Sequence, residues 1–293
     1  MQSQNPIPDL TISIVTYNSR NIIERCLSGL SPSIEVKLYD NASTDGTPAL
    51  VRKAFPHVAV TAGTENIGFG RAHNENIRRS KTAFVLVLNP DCFPDTEALA
   101  ELISILRKHP DAAIAGPGFR TTEKTDDGEE IPPESLEPHD ADFISGACMM
   151  LRISALTEIG LFDRNLFLFF EDDDLCTRAR RSGYRLIHAP GISVTHLVGR
   201  STSPALRDKV RRDFHIGWSE AYYGCKFRGD RSAARIKVKV ISRHLRKTLQ
   251  RALRLSPKTL ESASRTGGAI AYAFSGPVVT PSDGAAPEPR KNR

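Results

Sequence analysis

Carboxylates and amides gather at a few points of this 293-residue sequence, where their types suit phosphate binding and proton transfer. Ala83 to Pro94 reads AFVLVLNPDCFP. The apolar half fits a strand buried on both faces, and Pro90, which cannot donate a ladder hydrogen bond, ends it with Asp91 just past its carboxyl edge. Open α/β sheets bind ligands at that edge, and a carboxylate there can hold a hard divalent cation and, through it, a diphosphate. A plainer role for Asp91, capping the next helix, is better filled by Asp95. A second candidate is Glu171-Asp172-Asp173-Asp174. Two acids would favour a helix dipole, and Asp174 can pair with Arg178 one turn on, but four adjacent carboxylates repel. The apolar run Leu166 to Phe170 would deliver Glu171 and Asp172 from a buried segment into a cleft. His196, taken alone, reads as a structural histidine.

Alternating elements must position these groups. Leu10 to Val15 is predicted as a strand, followed by Thr16-Tyr17-Asn18 and a helix N-capped by Ser19 whose apolar face is Ile22, Ile23, Cys26, Leu27 and Leu30. Strands are expected at Glu35–Tyr39, ending at Asp40, and at Val58–Thr61. Helices are expected at Pro48–Ala54 and Arg71–Arg79, and from Asp95 to His109-Pro110. This alternation predicts a parallel sheet covered on both faces. Thr121 to Asp140 is acidic, Pro-containing and without periodicity, a long loop of the kind that serves function. A strand pattern resumes at Asp142–Leu151, where Gly146 suggests a close approach by backbone or ligand. A helix from Glu171 to about Ser182 and strands at Tyr184–His188 and Ile192–His196 complete the order.

Charge divides the chain. Between Lys226 and Lys258 twelve Lys and Arg face the single Asp230, about +11, which leaves about −5 for the rest of a chain of net charge +6. There Ile236, Val240, Ile241, Leu245, Leu249 and Leu253 recur at helical spacing, which suits an interfacial helix on anionic lipid or a solvated helix packed on the core. Nucleic acid is not an expected partner, because no recognition motif or stacking aromatics accompany the charge. Five cysteines without CxxC spacing read as reduced residues of a cytoplasmic protein. No signal-peptide h-region or run of about 20 apolar residues is present, so a cytoplasmic location is expected, peripheral to the inner face of the plasma membrane if the basic stretch binds lipid. Residues beyond Ser264, ending TPSDGAAPEPRKNR, are expected to be disordered.

The segments SIVTYNS, DNASTDGT, ENIGFGRAHN, LVLNPDC, SGACMMLR, IGLFDRNLFLFFEDDDLCTRARRSGY and HLVGRS, in that order, resemble glycosyltransferase family 2, leaning towards rhamnosyltransferase-like members that build cell-surface polysaccharide. The later RRDFHIGWSEAYYGCKF is similar to a segment that often follows the core in that subgroup. The resemblance implies a GT-A (Rossmann-like) α/β fold with a mostly parallel sheet, helices on both faces, and a helical basic C-terminal appendage. It implies an N-terminal tail over 1–9, a glycosyltransferase domain over 10–203 with a nucleotide-sugar half (about 10–110) and an acceptor half (about 141–203), the appendage over 204–263 and a tail over 264–293. The implied activity is inverting transfer of a sugar from a nucleotide-diphosphate donor, such as dTDP-L-rhamnose, to a saccharide or lipid-linked saccharide.

On the same resemblance Thr16, Tyr17 and Asn18 surround the donor base and ribose, Asp40 hydrogen-bonds one of them, and Asn66, Gly68 and Asn74 line the donor pocket. Asp91 matches the metal-binding Asp of the DxD motif, with Asn89 where other members have the first Asp, which puts tight metal binding in doubt. Asp172 matches the catalytic base, Glu171 is ranked second, and His196 approaches the metal, Mg²⁺ or Mn²⁺, or the diphosphate. Competing readings are a nucleotidyltransferase, for which TYNSRNII lacks the Gly-rich basic phosphate loop, and a non-catalytic nucleotide-sugar-binding module, against which intact Asp91 and Asp172 argue.

Overall fold

The computed structural model describes residues 7, 9–121, 136–197, 205–228 and 230–276. Strands β1 (Leu10–Thr16), β2 (Glu35–Asp40), β3 (Ala59–Ala62) and β4 (Phe84–Leu88) alternate with helices α1 (Arg20–Ser28), α2 (Thr47–Ala54) and α3 (Phe69–Arg78). Then come β5 (Cys92–Phe93), α4 (Thr96–Lys108), β6 (Ala112–Thr121), β7 (His139–Asp140), β8 (Cys148–Arg152), α5 (Ile153–Ile159), α6 (Glu171–Arg181) and β9 (Arg185–His196). Helices α7 (Leu206–Arg228), α8 (Asp230–Leu253) and α9 (Thr259–Ser275) close the described chain.

The sheet runs β3-β2-β1-β4-β8-β6-β9-β5, with β7 also pairing β9. It is parallel from β3 to β4 and again between β6 and β9, whereas β8 runs antiparallel to both β4 and β6. The parallel pairing expected from alternation therefore holds for β1 to β4 and recurs between β6 and β9, while β8, β5 and β7 pair antiparallel. Strand β4 is buried on both faces as predicted: Phe84, Leu86 and Leu88 join the core with α1 and α4, while Val85 and Val87 join the core with α5 and α6. Asp95 caps α4 by accepting from the Ala98 N–H at 2.8 Å, an interaction worth about 1 kcal/mol. Ser19 stands at the N-cap position of α1, but its side chain makes no capping bond and instead accepts from the Tyr17 N–H at 3.3 Å.

Other boundaries differ for local reasons. Strand β6 escapes sequence reading because Gly116, Pro117 and Gly118 break its pattern, and its register with β9 shifts at Pro117/Gly118. There Pro190 and Gly191 interrupt the pattern of β9, so the two strands expected at Tyr184–His188 and Ile192–His196 are one. Residues 142–147 are irregular, with a turn at Gly146 and Ala147, and β8 starts at Cys148. Of the expected loop Thr121–Asp140, residues 122–135 lie outside the described residues, while His139–Asp140 pairs with β9.

The basic region is a packed bundle. Leu166 and Phe170, on the segment before α6, share a core with Trp218, Ala221 and Tyr222 of α7, Ile236 and Val240 of α8, and Ala269 and Tyr272 of α9. A Cβ at Gly217 would meet the Arg265 carbonyl, and one at Gly268 the Phe214 carbonyl, so these glycines permit the close crossing of α7 and α9. Order does not stop at Ser264 as expected, because α9 continues to Ser275 on that contact; residues 277–293 lie outside the described residues. The apolar stripe of α8 divides. Ile236 and Val240 are buried, whereas Leu245, Leu249 and Leu253 are exposed, at 46%, 56% and 87%.

Candidate active site

A cavity of about 430 Å³ opens at the carboxyl ends of β1 and β4, bounded on its far sides by the start of α6 and the first turns of α7. Its volume suits a nucleotide sugar or a comparable ligand.

The loop after β1 is braced rather than open. Thr16 Oγ1 donates to Asp40 Oδ1 at 2.8 Å, and Asp40 also accepts from the Ser43 hydroxyl at 2.6 Å and the Ser43 N–H at 2.8 Å. Asn18, in the left-handed region at φ 52°, accepts from the Thr44 N–H at 2.9 Å. Thr16, Asn18 and Asp40, expected around the donor base and ribose, do not line the cavity, while Tyr17 does. Asn66 and Gly68 also line it, as expected. Gly68 has φ 93°, and a Cβ there would strike the Phe167 backbone, so this glycine brings the α3 start against the segment leading to α6. Asn74 is corrected from donor pocket to scaffold: it is buried, donates to the Phe162 carbonyl at 2.8 Å and accepts from the Phe162 N–H at 3.0 Å. Asn41 takes a lining position that sequence reasoning did not assign, joining the Ile67 N–H and the Gly68 carbonyl. Its place inside DNASTDGT was the available signal.

Asn89 and Pro90 line the cavity, and Asp91 lies behind them, 1% exposed. Antiparallel pairing of β5 with β9 sets Cys92 opposite His196. This brings His196 Nε2 to 3.6 Å from Asp91 Oδ1, too long for a hydrogen bond and suited to two ligands of one ion. Ligand atoms of Asp91, Cys92 and His196 lie within 4.8 Å of one another. Burial pushes the Cys92 thiol far above its usual range, so it stays protonated. The ligand-competent pair is therefore a carboxylate and an imidazole, which fits Mg²⁺ or Mn²⁺ better than a soft metal.

Facing this pair is the start of α6. Phe169 and Phe170 both adopt left-handed φ, 65° and 66°, an arrangement that costs roughly 1–2 kcal/mol per residue and that burial of Phe170 against the C-terminal bundle helps to offset. The chain thereby turns Glu171 and Asp172 into the cavity. Asp172 accepts from the Gly146 N–H at 3.0 Å and the Asp173 N–H at 3.1 Å, which is the close approach that Gly146 suggested. Burial raises the Asp172 carboxyl, and those N–H bonds oppose the rise. Glu171 is buried, is raised well above the usual carboxylate range by desolvation and then by Asp172, and has an Oε2 without a hydrogen-bond partner among the described residues. Burial and the neighbouring Asp172 thus favour the protonated form of Glu171, whereas the two N–H bonds to Asp172 favour its carboxylate, which makes Asp172 the better base. Asp173 is pushed up to about 6 and does not line the cavity. Asp174 is fully buried and structural, with Arg178 Nε at 2.7 Å and Lys226 Nζ at 2.5 Å.

The sequence profile described as Glycosyl transferase family 2 matches residues 11–160, about half of the chain. The chain belongs to that family. A second profile, Glycosyltransferase like family 2, matches residues 135–214, across α6 and into α7. This family 2 glycosyltransferase is 27% identical over 84% of its length to 97% of an N-acetylglucosaminyl-diphospho-decaprenol L-rhamnosyltransferase of Mycobacterium tuberculosis. It is also 27% identical over 66% of its length to 68% of the low-salt glycan biosynthesis hexosyltransferase Agl10 of Haloferax volcanii. Its fold resembles that of the mannosyltransferase PcManGT from Pyrobaculum calidifontis, solved with GDP-Man and Mn²⁺, with TM-score 0.60 and 19% identity over 93% of this chain and 89% of that one. Staphylococcus aureus TarS residues 1–349 give TM-score 0.54 and 16% identity, covering 90% and 91%. These relations carry the GT-A fold and glycosyl transfer, and the nucleotidyltransferase reading falls away.

Proposed function

We propose that this glycosyltransferase moves a hexosyl group, L-rhamnose from dTDP-L-rhamnose being the first donor to test, onto a lipid-linked saccharide in cell-surface polysaccharide synthesis. The observation that carries the reading is Asp172, held by two N–H groups on the cavity wall. In this role Asp172 takes the proton of the acceptor hydroxyl as its oxygen bonds to the anomeric carbon, and the bond to the nucleoside diphosphate breaks on the opposite side, inverting the centre. Burial favours the uncharged form of Glu171, which limits the negative charge beside the base. Asp91 and His196 would hold Mg²⁺ or Mn²⁺, a role supported by their spacing and by the Mn²⁺ bound by PcManGT. Such an ion offsets charge on the departing diphosphate. Tyr17, Asn41, Asn66 and Gly68 would contact the nucleoside. The donor and acceptor classes are supported by the rhamnosyltransferase of M. tuberculosis.

Among the described residues, no helix is long and apolar enough to cross a membrane. A membrane-surface role is supported by exposed Leu245, Leu249, Leu253, Leu255 and Leu260 beside Arg246, Lys247, Arg254 and Lys258. The deciding experiment incubates the enzyme and Mg²⁺ with dTDP-rhamnose, UDP-hexoses and GDP-hexoses and a prenyl-diphosphate N-acetylglucosamine, following product by mass. No transfer and no donor hydrolysis across the panel would overturn the reading. Co-sedimentation with anionic vesicles should be lost in high salt and in L249D/L253D; equal binding by that variant would remove the membrane role.

A further inference from the structure

One wall of the cavity is made by the first turns of α7, where sequence reasoning assigned no site residue. Asp208, Lys209, Arg211, Arg212 and His215 all line it. Arg211 lies over the Phe167 ring at 4.6 Å, and His215 stacks on the same ring at 4.2 Å. Phe167 in turn abuts Gly68 and stands four residues before Glu171. Asp208 reaches back across the cleft to accept from the Tyr17 hydroxyl at 3.4 Å. Tyr222 and Lys226, further along α7, are tied to Asp163 at 2.7 and 2.6 Å, so the wall is fixed to the segment that delivers the acids.

The charges on this wall are underused. Among the described residues, no carboxylate forms an ion pair with Lys209 or Arg211. Arg212 Nε is buried without a hydrogen-bond partner among them. The nearby Asp213 is 3.7 Å from Arg212 and closer, at 3.2 Å, to Arg265. On this wall three cations stand against one carboxylate, Asp208, in a cavity that His196 also lines with Asp91 behind it. Planar guanidinium groups with free donors match phosphate oxygens.

We propose that Lys209, Arg211 and Arg212 form a second diphosphate-binding wall, distinct from the Asp91–His196 pair. The inference rests on the lipid-diphosphate acceptor proposed above. In such an acceptor a single sugar ring separates the attacking hydroxyl from the diphosphate. A hydroxyl at Asp172 therefore leaves the diphosphate near the same cavity, on the Phe167 side. The other source of this chemistry is the diphosphate of the donor.

The test measures direct binding, without turnover, of farnesyl diphosphate, farnesyl monophosphate, and dTDP, UDP and GDP with Mg²⁺. Wild type is compared with K209Q, R211Q, R212Q and the triple variant. The expected result is a clear preference of wild type for farnesyl diphosphate over the monophosphate, weakened about tenfold by each neutralisation and lost in the triple variant, with nucleoside-diphosphate affinity held within about twofold. Weakened nucleoside-diphosphate binding with farnesyl diphosphate unaffected would keep the diphosphate wall and assign it to the donor. If neither class weakens, the proposal is overturned. Lys209 and Arg211 are exposed, so K209Q and R211Q carry the test even if the triple variant does not fold. A failed transfer panel with intact farnesyl diphosphate binding would remove the proposed reaction and leave this wall standing.

Discussion

The two sides of the cavity are built on opposite principles. On the β1–β2 side the polar groups satisfy one another: Thr16, Asp40 and Ser43 form a closed set, and Asn74 is paired at both ends of its amide with Phe162. On the α6–α7 side, Glu171 Oε2 and Arg212 Nε are buried without partners among the described residues, two aromatic residues adopt left-handed backbone, and the acids titrate upward. Buried unsatisfied polar groups lower stability unless something else engages them. On the proposed function the first side is scaffold that would present backbone and a few side chains to the nucleoside, and the second would engage the reacting groups.

The sharpest way to break this comparison is at Asp172. Asp172→Asn should lower kcat by at least about a hundredfold with nucleotide affinity little changed, since a general base acts only in the transition state. Asp173→Asn, outside the cavity, should leave kcat nearly intact, and Glu171→Gln, which removes the carboxyl's capacity to ionise, should fall between. Equal effects at Asp172 and Asp173, read by steady-state kinetics and calorimetry, would return the four acids to a helix start.

Next in size is the Asp91–His196 pair. Asp91→Asn should weaken donor affinity and turnover together by about tenfold or more, with activity restored in part by added Mg²⁺ or Mn²⁺. Full activity of the wild type in excess chelator would remove the metal from the reaction.

The scaffold side predicts stability loss instead. Asn74→Ala strands the N–H and C=O of Phe162 and should cost about 1–3 kcal/mol in denaturant unfolding, with the folded variant binding nucleotide as wild type does. A selective loss of nucleotide affinity would return Asn74 to the donor pocket.

The smallest effect is on pH dependence. Burial raises Asp173 from 3.8 to about 6, so between those values the folded state holds the extra proton and stability from this group falls as pH rises. Asp173→Asn should flatten the stability profile between about pH 4 and 6 and raise the melting temperature slightly at pH 7. An unchanged profile would mean that Asp173 is better solvated than its surroundings imply.

Much of the frame was legible because it is local. The β-branched run before Asn89-Pro90-Asp91, the amphipathic spacing of α1 and α4 and the Asp95 cap are each written within a few residues, and each formed as expected. Strand β6 was not legible, because Gly116, Pro117 and Gly118 conceal a strand that only its partners hold extended. Motif order pointed to Asp91, Asp172 and His196, and the structure gives two of them their geometry through β5–β9 pairing across more than one hundred residues. Sequence could not tell which polar residues face the cavity, because Asp40 and Asn74 read like ligand contacts until their internal partners are seen. Nor could it divide the apolar stripe of α8 between core and solvent, or find Lys209, Arg211 and Arg212. Local propensity and period determine elements from the sequence alone, whereas charge, burial and pairing at the site depend on which elements meet, as β5 meets β9 and as α7 crosses α9 closely at Gly217 and Gly268.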